Sequence, residues 1–237
     1  ACDLGGKPAQ SLSIGVDDYG VKIGGETVLF RHEKTFFNKP GIAVLITDAM
    51  DDGEVERRLT ALEYFQYERV GVTMKPEMAA IKFTGNKDRF IAIVKSALVR
   101  PCAVILVCGE VQVMKEALDI VRDKKPLIYA ATLDNHEAFG ALAKDYGVPL
   151  AVVGKGFDEV AALTEKLTAM GLKDLVIDTC ARGVRDAFTD QIAIRRAALI
   201  SKFKPLGFPT ITFPCEMTDD PMKETLIASL FVAKYAG

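Results

Sequence analysis

The chain has 237 residues, 49% of them hydrophobic and 26% charged, with a formal net charge of -2. That is enough apolar material for one substantial core or two small ones, and acids and bases are interspersed, so no basic face invites nucleic acid. No apolar run reaches the roughly 20 residues of a membrane span, and ACDLGGKPAQ has neither a charged-then-apolar leader pattern nor a starting Met, so a cytoplasmic chain, and a piece of a longer one, is expected.

Residues 1–20 are polar and Gly-containing and read as a linker. In VKIGGETVLF the pair Gly24-Gly25 separates two runs of strand formers, which predicts a β-hairpin over 21–40. From Gly41 the chain becomes regular. GIAVLITD is a continuous apolar run, as expected of a strand buried on both faces of a parallel sheet. A helix follows from about Gly53 to Phe65, with Val55, Leu59, Leu62 and Phe65 on one face. After the irregular YERVGVTMKPEM come AAIKF and a helix over Asp88 to Val99; CAVILVCG and a helix over Val113 to Val121; PLIYAAT and a helix from near Asn135. PLAVVGKG precedes a helix from Asp158 to Met170, which Gly171 ends in the C-cap role. DLVIDT leads through Cys180, Ala181, Arg182 and Gly183 into a helix carrying Ile192, Ile194, Ala198 and Leu199, stopped by Pro205, Gly207 and Pro209. TITFP and the helix MKETLIASLFVAKYAG close the chain.

Seven strand-helix units spaced by about 25 to 35 residues predict an α/β fold, a (β/α)8 TIM barrel over 41–237, for which about 250 residues is typical. An eighth strand is lacking, which leaves an open edge between strands one and seven. A doubly wound open sheet is the alternative, but the chain has neither GxGxxG nor GxxxxGK[ST].

In a barrel, function sits on the loops after the strand C-termini. Those positions hold Asp48, Asn86, Thr132, Asn135, Asp178, Arg182 and Glu216, a ring of polar groups able to hydrogen-bond a heteroaromatic ligand such as a pterin. Against this, Asp51, Asp52, Asp134 and Asn135 are also placed to cap helices. Asp178, directly at a strand end, is not placed as a cap. No catalytic acid-base pair or nucleophile is evident. Cys2, Cys102, Cys108, Cys180 and Cys215 contain no CxxC pair, which argues against a local metal or iron-sulfur site. Cys102, Cys108 and Cys215 read as small buried hydrophobes, and Cys180 as a loop thiol without a partner His. His32 lies in a charged turn, His136 lacks a second ligand nearby, and Lys155 in its Gly-Lys-Gly loop is too exposed for Schiff-base chemistry.

Two long stretches, KIGGETVLFRHEKTFFNKPGIAVLITD and IRRAALISKFKPLGFPTITFP, resemble the large (gamma) subunit of the corrinoid iron-sulfur protein of the acetyl-CoA decarbonylase/synthase system. The resemblance runs from about Val21 to the end. In that family the subunit has an N-terminal four-cysteine 4Fe-4S domain, a central barrel and a C-terminal corrinoid (cobalamin) domain; this chain resembles the central barrel only. The resemblance implies a scaffold in a methyl carrier between a methyl-pterin methyltransferase and acetyl-CoA synthase, docking the small subunit. A barrel that itself binds methyl-tetrahydropterin as a methyltransferase is the alternative.

Overall fold

The computed structural model describes residues 9–29 and 37–234. The expected N-terminal hairpin is present, but its strands are β1 (Ser11–Ile14) and β2 (Val21–Gly24), paired antiparallel. Half of the segment read as a linker is therefore strand and turn. Gly24-Gly25 is not the turn; the chain reverses at Gly15–Gly20 through a short 3-10 turn with Asp17 in the left-handed region (φ 50). His32 and Cys2 lie outside the described residues.

Next come β3 (Ala43–Thr47), α1 (Asp52–Tyr64), a small ribbon of β4 (Tyr67–Arg69) and β5 (Val72–Met74), β6 (Met78–Lys82), α2 (Lys87–Leu98), β7 (Ala103–Val107) and α3 (Val111–Val121). They are followed by β8 (Leu127–Ala131), α4 (His136–Tyr146), β9 (Leu150–Val153), α5 (Phe157–Ala169), β10 (Leu175–Asp178), α6 (Val184–Leu199) and α7 (Pro221–Lys234). The large sheet has the order β3-β6-β7-β8-β9-β10, every pair parallel. Successive strands are spatial neighbours throughout, so the sheet winds in one sense as a barrel does. The ribbon occupies the stretch read as irregular.

The seventh strand is only begun. Thr210 makes an isolated parallel bridge to Ile177, with Ile177 N donating to Pro209 O (2.8 Å) and Ile211 N to Ile177 O (3.0 Å). Pro209 and Pro214, which lack an N–H, bracket the segment and keep the ladder short.

Both faces of the sheet are buried, for different reasons. Outward residues such as Ile46, Ile81, Leu106 and Ile128 pack with helix residues Leu59, Phe90, Met114, Leu118 and Phe139. Inward residues, among them Met78, Ala80, Ile105, Leu127 and Val176, meet Leu12, Ile14, Val21 and Ile23 of the hairpin. The hairpin thus plugs the barrel interior. Burying four such side chains is worth roughly 6–12 kcal/mol before the opposing chain entropy is subtracted.

Close backbone approach holds the plug. Gln10 N donates to Gly207 O (2.7 Å), Gly15 N to Lys125 O (3.0 Å) and Gly25 N to Gln10 O (2.8 Å). Gly24 has φ +79, and a Cβ there would lie 2.5 Å from Gln10 O and 3.0 Å from Pro209 Cβ. Gly24→Ala should therefore cost about 2 kcal/mol or more, read as a lower urea midpoint at unchanged slope; an unchanged midpoint would show that the hairpin docks without this contact. Beyond β2, Arg195 of α6 donates to Val28 O (3.2 Å) and lies 3.5 Å from Glu26, tying the tail of the hairpin to the outer layer.

Candidate functional site

The C-terminal ends of the strands carry the buried acids Asp48 and Asp178. The residues named from the sequence divide into three separate groups. Asp178, Arg182 and Glu216 come together in the mouth; Asp48, just after β3, binds the loop between β6 and α2 that holds Asn86; Thr132 and Asn135 brace another.

The mouth is built around the Asp178 carboxylate, 4% exposed at the end of β10. One oxygen accepts from Cys180 N (2.8 Å) and Arg182 Nη1 (3.1 Å); the other accepts from Arg182 Nη2 (2.9 Å) and the Tyr129 hydroxyl (2.6 Å). Arg182 also donates through Nε to Glu216 (2.6 Å) and stacks over Phe213, 4.8 Å from the ring centroid. The other Glu216 oxygen accepts from Lys82 Nζ at 2.6 Å. Tyr129 meets Phe213 edge to face, with centroids 5.1 Å apart. One continuous network thus links β6, β8, β10, the loop after β10 and the 3-10 turn Pro214–Glu216.

Electrostatics keep each partner in its bonding state. Burial, then the charge of Asp178, pushes the Tyr129 phenol well up, so it stays a donor. Burial alone would push the Arg182 guanidinium down, but the Asp178 carboxylate outweighs it and holds the group charged. Burial likewise pushes Glu216 up, yet Lys82 and Arg182 hold its carboxyl below the usual range. Two cations face two anions, so the cluster is self-neutralising. Tyr129, Lys82 and Phe213 are not among the residues named from the sequence. A polar tip inside an otherwise apolar strand, as in PLIYAAT and AAIKF, was the signal for the first two.

Asp48, 2% exposed, ends the β3 ladder and turns into the loop before α2. It accepts from Thr84 N (2.8 Å), Gly85 N (3.1 Å), Asn86 N (2.8 Å) and the Thr84 hydroxyl. Burial pushes this carboxyl up, but the Thr84 hydroxyl and the three backbone N–H groups together hold it below the ordinary value. Asn86 is the N-cap of α2, accepting from Arg89 N (3.1 Å). The Asp48 side chain therefore fastens this loop to the end of β3, and the Asn86 side chain caps the helix that follows.

Asn135 does not cap α4 with its side chain. Its amide oxygen instead accepts from Thr132 N (2.7 Å) and its amide nitrogen donates to Ala130 O (3.4 Å), closing the turn on itself. Asp51 does cap α1, accepting from Glu54 N at 2.8 Å. His136 Nδ1 sits 2.8 Å from Leu133 O, and Lys155 is exposed.

Cys102 and Cys108 are buried in the sheet, Cys215 is half-buried and Cys180 is exposed, so Cys215 is less enclosed than its apolar neighbours suggest. Among the described residues no group of three or more His, Cys, Asp and Glu converges as a metal site, and no helix is long and apolar enough to cross a membrane. Burial pushes the Cys108 thiol up to about 11 and raises Cys102 as well. Iodoacetamide at pH 8 should thus modify Cys180 within minutes and reach Cys102 and Cys108 only after unfolding; mass spectrometry of the labelled peptides checks the order.

Residues 11–237 match the family described as CO dehydrogenase/acetyl-CoA synthase delta subunit. The corrinoid/iron-sulfur protein large subunit of Moorella thermoacetica is 36% identical over 97% of this chain and 52% of its own length. The acetyl-CoA decarbonylase/synthase complex subunit gamma of Archaeoglobus fulgidus is 35% identical over 94% of this chain and 50% of its own. That of Methanopyrus kandleri is 34% identical over 97% and 52%. The chain thus spans about half the length of the curated relatives it matches. Among solved structures, dihydropteroate synthase from Thermus thermophilus superposes with a TM-score of 0.58, covering 94% of this chain and 89% of that one at 14% identity. That likeness is one of fold.

Proposed function

The chain belongs to the CO dehydrogenase/acetyl-CoA synthase delta subunit family, and from that premise we propose that it is the barrel of a corrinoid/iron-sulfur methyl carrier. In this reading the barrel is a scaffold: it docks the small subunit and holds the cobalt- and cluster-bearing parts of the complex in reach of a methyltransferase and of acetyl-CoA synthase. The relatives support this by name, being called a corrinoid/iron-sulfur protein large subunit and decarbonylase/synthase gamma subunits.

The observation that carries the scaffold role is the closed mouth network. Lys82, Glu216, Arg182, Asp178 and Tyr129 are already engaged with one another at 2.6–3.1 Å. A heteroaromatic ligand would have to replace several charge-assisted bonds at once, each worth about 1.5–3 kcal/mol. The cysteines of the described barrel do not fit a 4Fe-4S cluster either, since such a cluster needs four converging thiolates and these are dispersed between core and loops. At 14% identity the dihydropteroate synthase likeness lends no chemistry to this chain.

The test is calorimetric titration of the whole subunit with a methyl-tetrahydropterin, alongside co-purification with the small subunit. The scaffold role predicts a stable complex with the small subunit and no saturable pterin binding to millimolar concentration. Stoichiometric pterin binding that disappears on Asp178→Ala would establish the methyltransferase alternative instead.

A further inference from the structure

The stretch FQYERVGVTM, read from the sequence as irregular, carries a period of two: Phe65, Tyr67 and Arg69 alternate with Gln66 and Glu68, and Val72 and Met74 flank Thr73. The register of the β4-β5 ribbon puts the two sets on opposite faces. Tyr67 pairs with Met74 and Arg69 with Val72, whereas Glu68 pairs with Thr73, and residues directly opposite share a face. Phe65 joins the first set, its ring meeting Tyr67 edge to face with centroids 6.4 Å apart. One face is therefore apolar with a single cation, and the other is polar. An amphipathic ribbon ordinarily lays its apolar face on the core. Here every position of both strands is exposed, and Tyr64, at the end of α1, is exposed beside them.

The tip sharpens the point. Val70-Gly71 is a two-residue turn with both φ positive, 52 and 74, for which Asn-Gly is the ordinary choice. A β-branched residue in that backbone region is strained. Val70 is nonetheless 95% exposed, so nothing it touches within the described chain compensates. Together Tyr64, Phe65, Tyr67, Val70, Val72 and Met74 expose on the order of 600 Å². That is the upper end of the largest apolar patch on an ordinary monomer, about 300–600 Å², and most of the roughly 800 Å² that one partner brings to a standard interface. A ribbon of two three-residue strands is also marginal in water unless something packs on it.

We propose that the ribbon and the adjoining end of α1 are the arm by which this barrel docks the small subunit, Val70 entering an apolar pocket of that partner and Arg69 meeting a carboxylate at its rim. The inference rests on the scaffold reading above and names its docking surface. The chemistry of the partner follows from the arm. Its apolar face calls for an uncharged groove, and Arg69 calls for one acid beside it, since among the described residues no carboxylate pairs with that guanidinium. Tyr, Phe, Met and Arg are the residues enriched where proteins meet. A contiguous apolar surface of this extent suits a permanent partner, whereas passing encounters use smaller and more polar surfaces. The relative called a large subunit has, by that name, a small one. The ribbon stands between α1 and β6, at the end of the barrel opposite the mouth, so docking there leaves the mouth network undisturbed.

Val70→Asn in the whole large subunit separates docking from folding. Asn-Gly relieves the turn, so the isolated subunit should keep or raise its Tm, while the dissociation constant for the purified small subunit rises about tenfold or more. Arg69→Glu should weaken the complex in the same direction. Affinities within about twofold of wild type for both variants overturn the arm and leave the scaffold reading standing. A wild-type large subunit that binds no small subunit overturns the scaffold reading and the arm with it. Self-association that Val70→Asn abolishes, with small-subunit binding unchanged, assigns the arm to a second copy. Slow hydrogen exchange over 64–74 in the dilute large subunit alone assigns it to another part of the same chain; either outcome also overturns the proposal.

Discussion

Replacing Asp48 by Ala should destabilise the barrel by about 3–5 kcal/mol. The carboxylate is 2% exposed and receives three backbone N–H groups and the Thr84 hydroxyl. Without it, three donors at the start of α2 lose their acceptor in a place where water has little access, and each unsatisfied donor costs about 1–3 kcal/mol. Asp48→Asn separates shape from charge. An amide keeps one acceptor oxygen, but its NH2 then faces the N–H groups of Gly85 and Asn86, so a loss of about 2 kcal/mol is expected. The pH dependence has a definite sign. Since the folded carboxyl sits below its ordinary value, the unfolded chain binds the proton more tightly. The Asp48 contribution is therefore complete above pH ~4 and disappears as pH falls through the folded pKa. Glu216, shifted in the same direction by Lys82 and Arg182, adds to the same acid limb. Urea titrations from pH 7 to pH 3 should show the wild type losing stability on acidification and Asp48→Asn losing less; parallel curves would remove Asp48 from the account.

Arg182→Met should cost about 3–5 kcal/mol, because it leaves the Asp178 carboxylate, 4% exposed, without the guanidinium that neutralises it. It also removes the tie between β10 and Glu216. The double replacement Asp178→Asn with Arg182→Met should recover at least half of that loss, since an uncharged pair needs no counter-ion. Thermal melts of the two single variants and the double variant complete the cycle. A double variant as unstable as the sum of the singles would mean that the two side chains act independently, contrary to the bidentate geometry.

The strand-helix alternation was legible in the sequence because its signal is local and strong. AVILV of β7 and LAVV of β9 are continuous apolar runs, which only strands covered on both faces tolerate. The hairpin was legible as a type of element but misplaced by about ten residues. Gly24-Gly25 imitates a two-residue turn, whereas Gly24 serves the close passage of Gln10 and Pro209 over β2, a contact between distant parts of the chain, and Gly25 packs against Ser11 and Phe37. The ring of polar residues at the strand ends was legible by position. Which of them touch was not: the Lys82–Glu216 pair spans 134 residues, and no local pattern encodes such a distance.

By itself, then, the amino-acid sequence determined the succession of strands and helices and the parallel sheet, because hydrophobic period and chain breakers act over a few residues. The tertiary structure alone decided which acids bind loops and which join the mouth, that the hairpin plugs the barrel, and that Arg58 of α1 donates to Leu45 O of β3 (2.6 Å). Those outcomes depend on which desolvated groups find partners when the sheet curves, and a buried polar group is stabilised only by the particular donor or acceptor that the fold brings to it.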